Sequence, residues 1–166
     1  MALIKKKKKI TYLVTKRPLP NGDKVLLQMV KHPGAVLIVP FLSSNKIIMM
    51  RQFRAVLGKY LYELPAGTID KGEKIDVCAY RELLEETGYR AKELKRLGKI
   101  FPVPGYSTEI IYIFRADKLM KEKTNREADE VIETFMINKS QVRQLFKQGK
   151  IHDAKTICGL AFCGWL

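Results

Sequence analysis

Glu82, Glu85 and Glu86 stand three and four positions apart in the run Arg81-Glu82-Leu83-Leu84-Glu85-Glu86-Thr87-Gly88. In a helix that spacing puts all three carboxylates on one face, where they repel unless a cation sits among them. A purely structural helix would pair such glutamates with lysines. Here the base on the same turns is Arg81, too little to neutralise the cluster. Carboxylate oxygens are hard ligands suited to Mg²⁺ or Mn²⁺, ions that hold phosphates and keep some waters. Such ions stabilise developing charge and activate water for attack on phosphorus. The cluster therefore predicts a helix built for metal-dependent phosphate chemistry.

The chain has 166 residues, enough for one domain with a sizeable core and too short for two comfortable ones. Its 46% hydrophobic content is that of a soluble globular chain, and no apolar run approaches the ~20 residues of a membrane span. Ile10 to Val14 is too short, and too soon interrupted by Lys16 and Arg17, to form a signal-peptide core, so a cytoplasmic location is expected. Cys78, Cys158 and Cys163 are odd in number and lack metal spacing, which predicts reduced, packed thiols. His32 and His152 have no partner at a useful ligand spacing and read as structural or surface residues.

Charge is unevenly placed. Residues 1–60 hold 13 Lys or Arg against one acid, Asp23, whereas residues 61–90 hold four bases against seven acids. A net charge of +14 raises nucleic acid as a partner. No aromatic stacking platform is interleaved with Lys5 to Lys9, so that run reads as a solvated arm or edge. The same positive field draws in a small polyanion.

Ile10 to Val14 and Val25 to Lys31 read as strands joined by an Asn21-Gly22 hairpin turn. Ala35 to Leu42 and Lys46 to Phe53 form a second pair, and Val36-Leu37-Ile38-Val39 reads as a strand buried on both faces. Glu63 to Thr68 reads as a loop by its Pro65 and Gly67. A helix is expected from an Asp76 N-cap to Thr87, stopped by Gly88. Strands are expected over Lys95 to Phe101, Glu109 to Ala116 and Val131 to Ile137. Helices are expected over Ser140 to Gln148, capped by Ser140 and stopped by Gly149, and over Ala154 to Trp165. This order describes a mixed sheet sandwiched between helices.

Gly67, five residues, Glu73, seven residues, then Arg81-Glu82-Leu83-x-Glu85-Glu86-x-Gly88-Tyr89 resembles the complete Nudix box. Seven fixed residue types, each used at about 7%, would coincide at a given start on the order of once in 10⁸. Tyr89 departs from the aliphatic residue the family prefers, which touches packing behind the helix and not the ligands. Further segments resemble the ADP-ribose pyrophosphatase branch: His32-Pro33-Gly34-Ala35-Val36, Arg51-Gln52-Phe53-Arg54, Glu63-Leu64-Pro65-Ala66-Gly67, and Pro104-Gly105-Tyr106-Ser107-Thr108-Glu109. Pro104 lies sixteen residues after Gly88, the offset that marks this branch. Asp153-Ala154-Lys155-Thr156 also looks familial.

The resemblance implies a Nudix-type α/β/α sandwich with a mixed sheet (residues 34–166), preceded by an antiparallel strand extension (residues 1–33) for dimerisation and base binding. It implies Mg²⁺-dependent or Mn²⁺-dependent hydrolysis of ADP-ribose or a similar nucleoside diphosphate sugar to AMP and a sugar phosphate. The metal ligands it carries over are Glu82, Glu86 and the backbone carbonyl of Ala66, with Glu85 completing the cluster or holding a metal-bound water. Arg81 and Glu73 orient the loop and helix. Gly67 permits a close backbone approach to the metal or a positive φ. Arg51 and Arg54 offer positive charge to phosphate oxygens, and Glu63, Gly105 and Glu109 belong to the substrate pocket. The candidate general bases are Glu127 and Glu130, with Glu85 as a rival. A homodimer through the amino-terminal strands is expected, with no membrane association. Three alternatives remain open: GDP-mannose as substrate, a dinucleoside polyphosphate as substrate, and a non-catalytic RNA-binding or nucleotide-binding module. Intact Glu82, Glu85 and Glu86, with no attached helix-turn-helix, weigh against the last.

Overall fold

Along Val36 to Val39 every residue is buried, and successive side chains enter opposite cores, which is what sets the layers of the molecule. The computed structural model describes residues 10–122 and 131–166. Its strands are β1 (Thr11–Pro18), β2 (Lys24–Lys31), β3 (Ala35–Ser43), β4 (Lys46–Arg54), β5 (Lys59–Glu63), β6 (Ala66–Thr68), β7 (Tyr89–Ile100), β8 (Ile111–Lys121) and β9 (Ile132–Asn138). Its helices are α1 (Ile75–Thr87), α2 (Lys139–Lys147) and α3 (Ala154–Phe162).

A seven-stranded mixed sheet runs β5-β4-β3-β8-β7, with β6 also pairing β3 and β9 also pairing β4. β3 lies parallel to β8 and antiparallel to β4 and β6. On one face Leu37, Val39 and Phe41 pack with Val142 of α2, Leu160 of α3 and Trp165. On the other, Val36 and Ile38 pack with Cys78, Ala79 and Leu83 of α1 and with Ile69. The expected sandwich of helices around a mixed sheet is thus observed. Its central strand is apolar from Ala35 to Phe41 because neither face meets water there.

β1 and β2 form a separate antiparallel ribbon, turning at Asn21-Gly22 with Gly22 at φ 89°. Its foot is tied to the body by backbone bonds. The Val30 N–H donates to the Tyr106 carbonyl (2.7 Å), and the Thr108 N–H donates to the Val30 carbonyl (3.0 Å). The His32 N–H donates to Thr108 Oγ1 at 2.9 Å. The ribbon therefore braces the loop over residues 102–108.

Several local expectations are corrected. Residues Glu63 to Thr68 are not all loop: β5 ends at Glu63 and β6 begins at Ala66, because their backbones find partners on β4 and β3. The β7 strand starts at Tyr89, directly after Gly88, and pairs with β8 over its length. Lys74, not Asp76, is the N-cap of α1, with no side-chain cap, and Asp76 lies in the first turn. α2 is capped by Asn138 rather than Ser140; Asn138 Oδ1 accepts from the Gln141 N–H while the Gln141 side chain accepts from the Asn138 N–H. α3 ends at Phe162, and Asp153 caps it by accepting from the Thr156 N–H. Gly88 holds the left-handed conformation expected of a helix stop, at φ 73°. The three cysteines are free. Among the described residues no helix is long and apolar enough to cross a membrane.

Candidate active site

The site grows from the pairing of β6 with β3. Ile38 N–H donates to the Pro65 carbonyl, and Ile69 N–H donates to the Gly34 carbonyl. In an antiparallel ladder these alternate bonds leave the amide and carbonyl of Ala66, opposite Leu37, directed away from β3. Helix α1 lies on that side. Glu86 Oε2 accepts the Ala66 N–H at 2.8 Å, and Glu86 is almost wholly buried. The Glu82 carboxylate lies against Gly67 so closely that an added Cβ would stand 1.9 Å from its Cδ. An added Cβ there would force the Glu82 carboxylate to move. Gly67 is not among the glycines with positive φ, so that expected reason does not hold, and the close approach seen is to the Glu82 side chain.

Arg81 ties the remaining members together. Its Nε and Nη2 donate to the two oxygens of Glu73 (2.8 and 3.0 Å), and its Nη1 donates to Glu82 (2.7 Å) and Glu85 (3.0 Å). Its Nη2 also reaches the Thr68 carbonyl at 3.5 Å and the Asp70 carboxylate at 3.9 Å. Glu73 in turn accepts the Asp70 N–H at 3.0 Å, closing the turn between β6 and α1. The Arg81 hydrogen bonds hold the Glu73 carboxyl down at about 2. The same bonds push the guanidinium of Arg81 up from its ordinary value, with Glu82 and Glu85 adding to the effect. The Cys78 thiol beneath this array is raised to about 12 by burial and by the charges of Glu82 and Glu73, so it stays protonated and inert.

A second cluster lies at the start of the same segment. Glu63 is fully buried, yet Arg54 donates to both its oxygens, from Nε at 2.7 Å and Nη2 at 2.5 Å. Lys155 Nζ donates to Glu63 Oε2 (2.5 Å) and Asp153 Oδ1 (2.8 Å). Burial alone would raise the Glu63 carboxyl, but the bonds and charges of Arg54 and Lys155 outweigh it and the net direction is down. The Arg54 guanidinium is raised, chiefly by its bond to Glu63, with smaller effects from Asp153 and Glu86.

The other predicted residues are more dispersed. Arg51 is exposed, reaches Glu133 at 3.4 Å and stacks its guanidinium 4.3 Å from the Tyr60 ring centroid. Glu109 stands 3.8 Å from His32 Nε2, and His32 Nδ1 accepts the Gly34 N–H at 3.1 Å. Gly105 sits in the loop braced by β2, with open space where a Cβ would be. Glu127 and Glu130 lie outside the described residues. A recess of about 660 Å³ along α2, lined by Lys139, Arg143 and Lys147, shares no residue with the carboxylate face. Sequence reasoning assigned no role to Lys155, Asp153 or Thr156. Their signal was present in the Asp153-to-Thr156 run, but a contact across 92 residues of chain has no periodicity to betray it.

The donors around Ala66 and Gly67 are hard oxygens, and the missing Cβ of Gly67 lets the Glu82 carboxylate lie against the backbone. That chemistry fits a divalent cation. Among the described residues no three His, Cys, Asp or Glu side chains already converge as a cage, for Arg81 draws Glu82 and Glu85 to itself.

The family model for the NUDIX domain matches residues 31–159. The chain belongs to the Nudix hydrolase superfamily, and its similarity is to the ADP-ribose pyrophosphatase branch. It is 38% identical over 146 residues to an ADP-ribose pyrophosphatase of Bacillus subtilis (strain 168), covering 87% of this chain and 79% of that protein. It is 32% identical over 133 residues to a GDP-mannose pyrophosphatase of Shigella flexneri serotype 5b (strain 8401), covering 75% and 69%. Its fold matches a solved ADP compounds hydrolase with TM-score 0.78 at 23% identity, over 93% of this chain and 84% of the other.

Proposed function

We propose that this protein hydrolyses the pyrophosphate bond of ADP-ribose or a related nucleoside diphosphate sugar, giving AMP and, from ADP-ribose, ribose 5-phosphate. The observation that carries this reading is the closure of buried Glu82 and Glu86 around the Ala66-Gly67 backbone. Burying carboxylates is costly unless they are paired or serve as ligands, and among the described residues one guanidinium, Arg81, is shared by Glu73, Glu82 and Glu85. Glu82, Glu86 and the Ala66 carbonyl would hold the metal, with Glu85 beside them. When bound, Mg²⁺ or Mn²⁺ supplies the positive charge that polarises phosphorus and lowers the pKa of the attacking water. Glu73 and Arg81 keep α1 and the preceding turn in register, so that the carboxylates are set before substrate arrives. Arg54, 37% exposed, offers its guanidinium to phosphate oxygens. Arg51, Glu63, Gly105 and Glu109 complete the proposed substrate-binding set. Glu85, Glu127 and Glu130 are the candidate bases.

GDP-mannose is a second reading, supported by the similarity to a GDP-mannose pyrophosphatase. Incubating the full chain with ADP-ribose, GDP-mannose and dinucleoside polyphosphates, with and without Mg²⁺ or Mn²⁺, distinguishes them. Metal-dependent AMP release from ADP-ribose at the highest kcat/KM is expected; no release from any nucleotide overturns the reading.

Residues 1–33 act in this proposal as an assembly and base-binding extension to a catalytic unit of residues 34–166. Tyr12, Val14 and Leu26 share an exposed face of the β1–β2 ribbon, and two strands alone are marginal in water. A homodimer through this ribbon, in the cytoplasm, is the expected state, and light scattering showing a monomer at micromolar concentration removes it. Removing residues 1–9, with their five lysines, should change the salt dependence of kcat/KM more than turnover at saturation.

A further inference from the structure

The Glu63 cluster has more cationic contact than a single carboxylate needs. Two cations converge on Glu63, and they are not equivalent. Lys155 is the inner one, with 18% of its side chain exposed, and it is anchored by Asp153, the N-cap of α3. Arg54 is the outer one, 37% exposed. It spends Nε and one proton of Nη2 on Glu63, so the second fork of its planar guanidinium, the Nη1 edge, faces away from that carboxylate. The same stretch of chain is pinned a second time, by the Leu64 N–H donating to Thr156 Oγ1 at 2.9 Å in the buried interior. Three residues beyond Glu63 comes Ala66.

We propose that Lys155 is a positioning residue for Arg54. Acting through Glu63, it fixes the Arg54 guanidinium in one plane with the outer fork presented to a phosphate oxygen of the diphosphate. This rests on the hydrolytic reading given above. The physical reason is charge sharing. When a phosphate draws on the charge of Arg54, Glu63 would otherwise be a buried carboxylate losing its partner, and the arginine would be held back. Lys155 keeps Glu63 compensated at fixed geometry. The arginine can then serve two anions without moving, and side-chain entropy that binding would otherwise cost has been lost already on folding. Lysine suits the inner position because a compact ammonium can bridge Glu63 and Asp153, whereas the outer position needs a planar fork.

The test is steady-state hydrolysis of ADP-ribose with saturating Mg²⁺ by the full chain carrying Lys155→Met, Lys155→Arg, Arg54→Lys, and Lys155→Met with Arg54→Lys. Lys155→Met should raise KM about tenfold with kcat changed less than about threefold, and Lys155→Arg should recover most of the loss. In the Arg54→Lys background, Lys155→Met should add less than about twofold, because its effect passes through the arginine. An unmoved KM, a loss confined to kcat, or the same factor in both backgrounds overturns the proposal. Circular dichroism identifies a Lys155→Met protein that fails to fold, and Glu63→Gln then replaces it in the same cycle with the same expected KM rise. Failure of both to fold makes the cluster a purely fold-stabilising ion group and overturns the positioning role. Wild-type protein that hydrolyses no nucleotide sugar overturns the functional reading, and this proposal with it. Active wild type with no coupling overturns this proposal alone.

Discussion

The two carboxylate clusters flanking the Glu63-to-Thr68 segment are built on opposite charge balances. Around Glu63, two acids meet two bases: Glu63 and Asp153 against Arg54 and Lys155. On α1 and the turn before it, Glu73, Glu82 and Glu85 share the guanidinium of Arg81, and Glu86 lies alongside on the Ala66 amide. The first cluster matches acids and bases around a fully buried Glu63, so it fixes the geometry of the half-exposed Arg54. Among the described residues the second sets four carboxylates against one guanidinium beside Gly67, a balance that suits a further cation. Burial of acids by itself does not separate structure from function; the ratio of acids to bases does.

The largest way to break this contrast is Glu86→Gln. The amide keeps an oxygen to accept the Ala66 N–H, so the fold and Tm should be retained, but a metal ligand is lost. Turnover should fall by about 100-fold or more. Unchanged turnover would remove the surplus-charge interpretation of α1 altogether.

Gly67→Ala comes next. Its Cβ would meet the Glu82 carboxylate at 1.9–2.3 Å, so Glu82 or the β6 backbone must shift. Activity should drop about 10- to 100-fold, with a stability loss of about 1–3 kcal/mol from overpacking, read by kinetics and chemical denaturation. A fully active, fully stable variant would show that Glu82 has no fixed place in the site.

These two positions also mark how far the sequence alone could be read. The Gly67-to-Gly88 run is local, so helical spacing suffices to bring Glu82, Glu85 and Glu86 together, and the β-branched run at Val36 to Val39 announces a doubly buried strand. Boundaries were less legible. Asn138 outcompetes Ser140 as the α2 cap because Gln141 can answer it reciprocally, a choice made by geometry and not by residue type. Glu63 to Thr68 reads as loop because Pro65 and Gly67 punctuate it, yet β4 and β3 supply the hydrogen bonds that put Glu63 and Ala66 to Thr68 in strands. The Glu63 cluster was least legible. Nothing in the spacing of Arg54, Glu63 and Lys155 says that sheet topology will bury the glutamate between the two bases.

The smallest expected effect sharpens the comparison by pH. Glu73 is more acidic in the folded protein, at about 2, than its ordinary 4.5, so ionised Glu73 stabilises the fold wherever the unfolded chain would also be ionised. That contribution is fully present above about pH 4.5 and fades as pH falls toward about 2. Replacing Glu73 by Gln removes it. Near neutral pH the variant should therefore be less stable than wild type, on the order of 1–2 kcal/mol once solvent screening is allowed for. The gap should close on acidification through that window, followed by urea denaturation at stepped pH. A gap that stays constant or widens toward low pH would mean that Arg81 is held by Glu82 and Glu85 rather than by Glu73. The α1 cluster would then have no structural pair of its own, and the division between a balanced anchor and a surplus-charge face would have to be drawn inside α1 rather than between the two clusters.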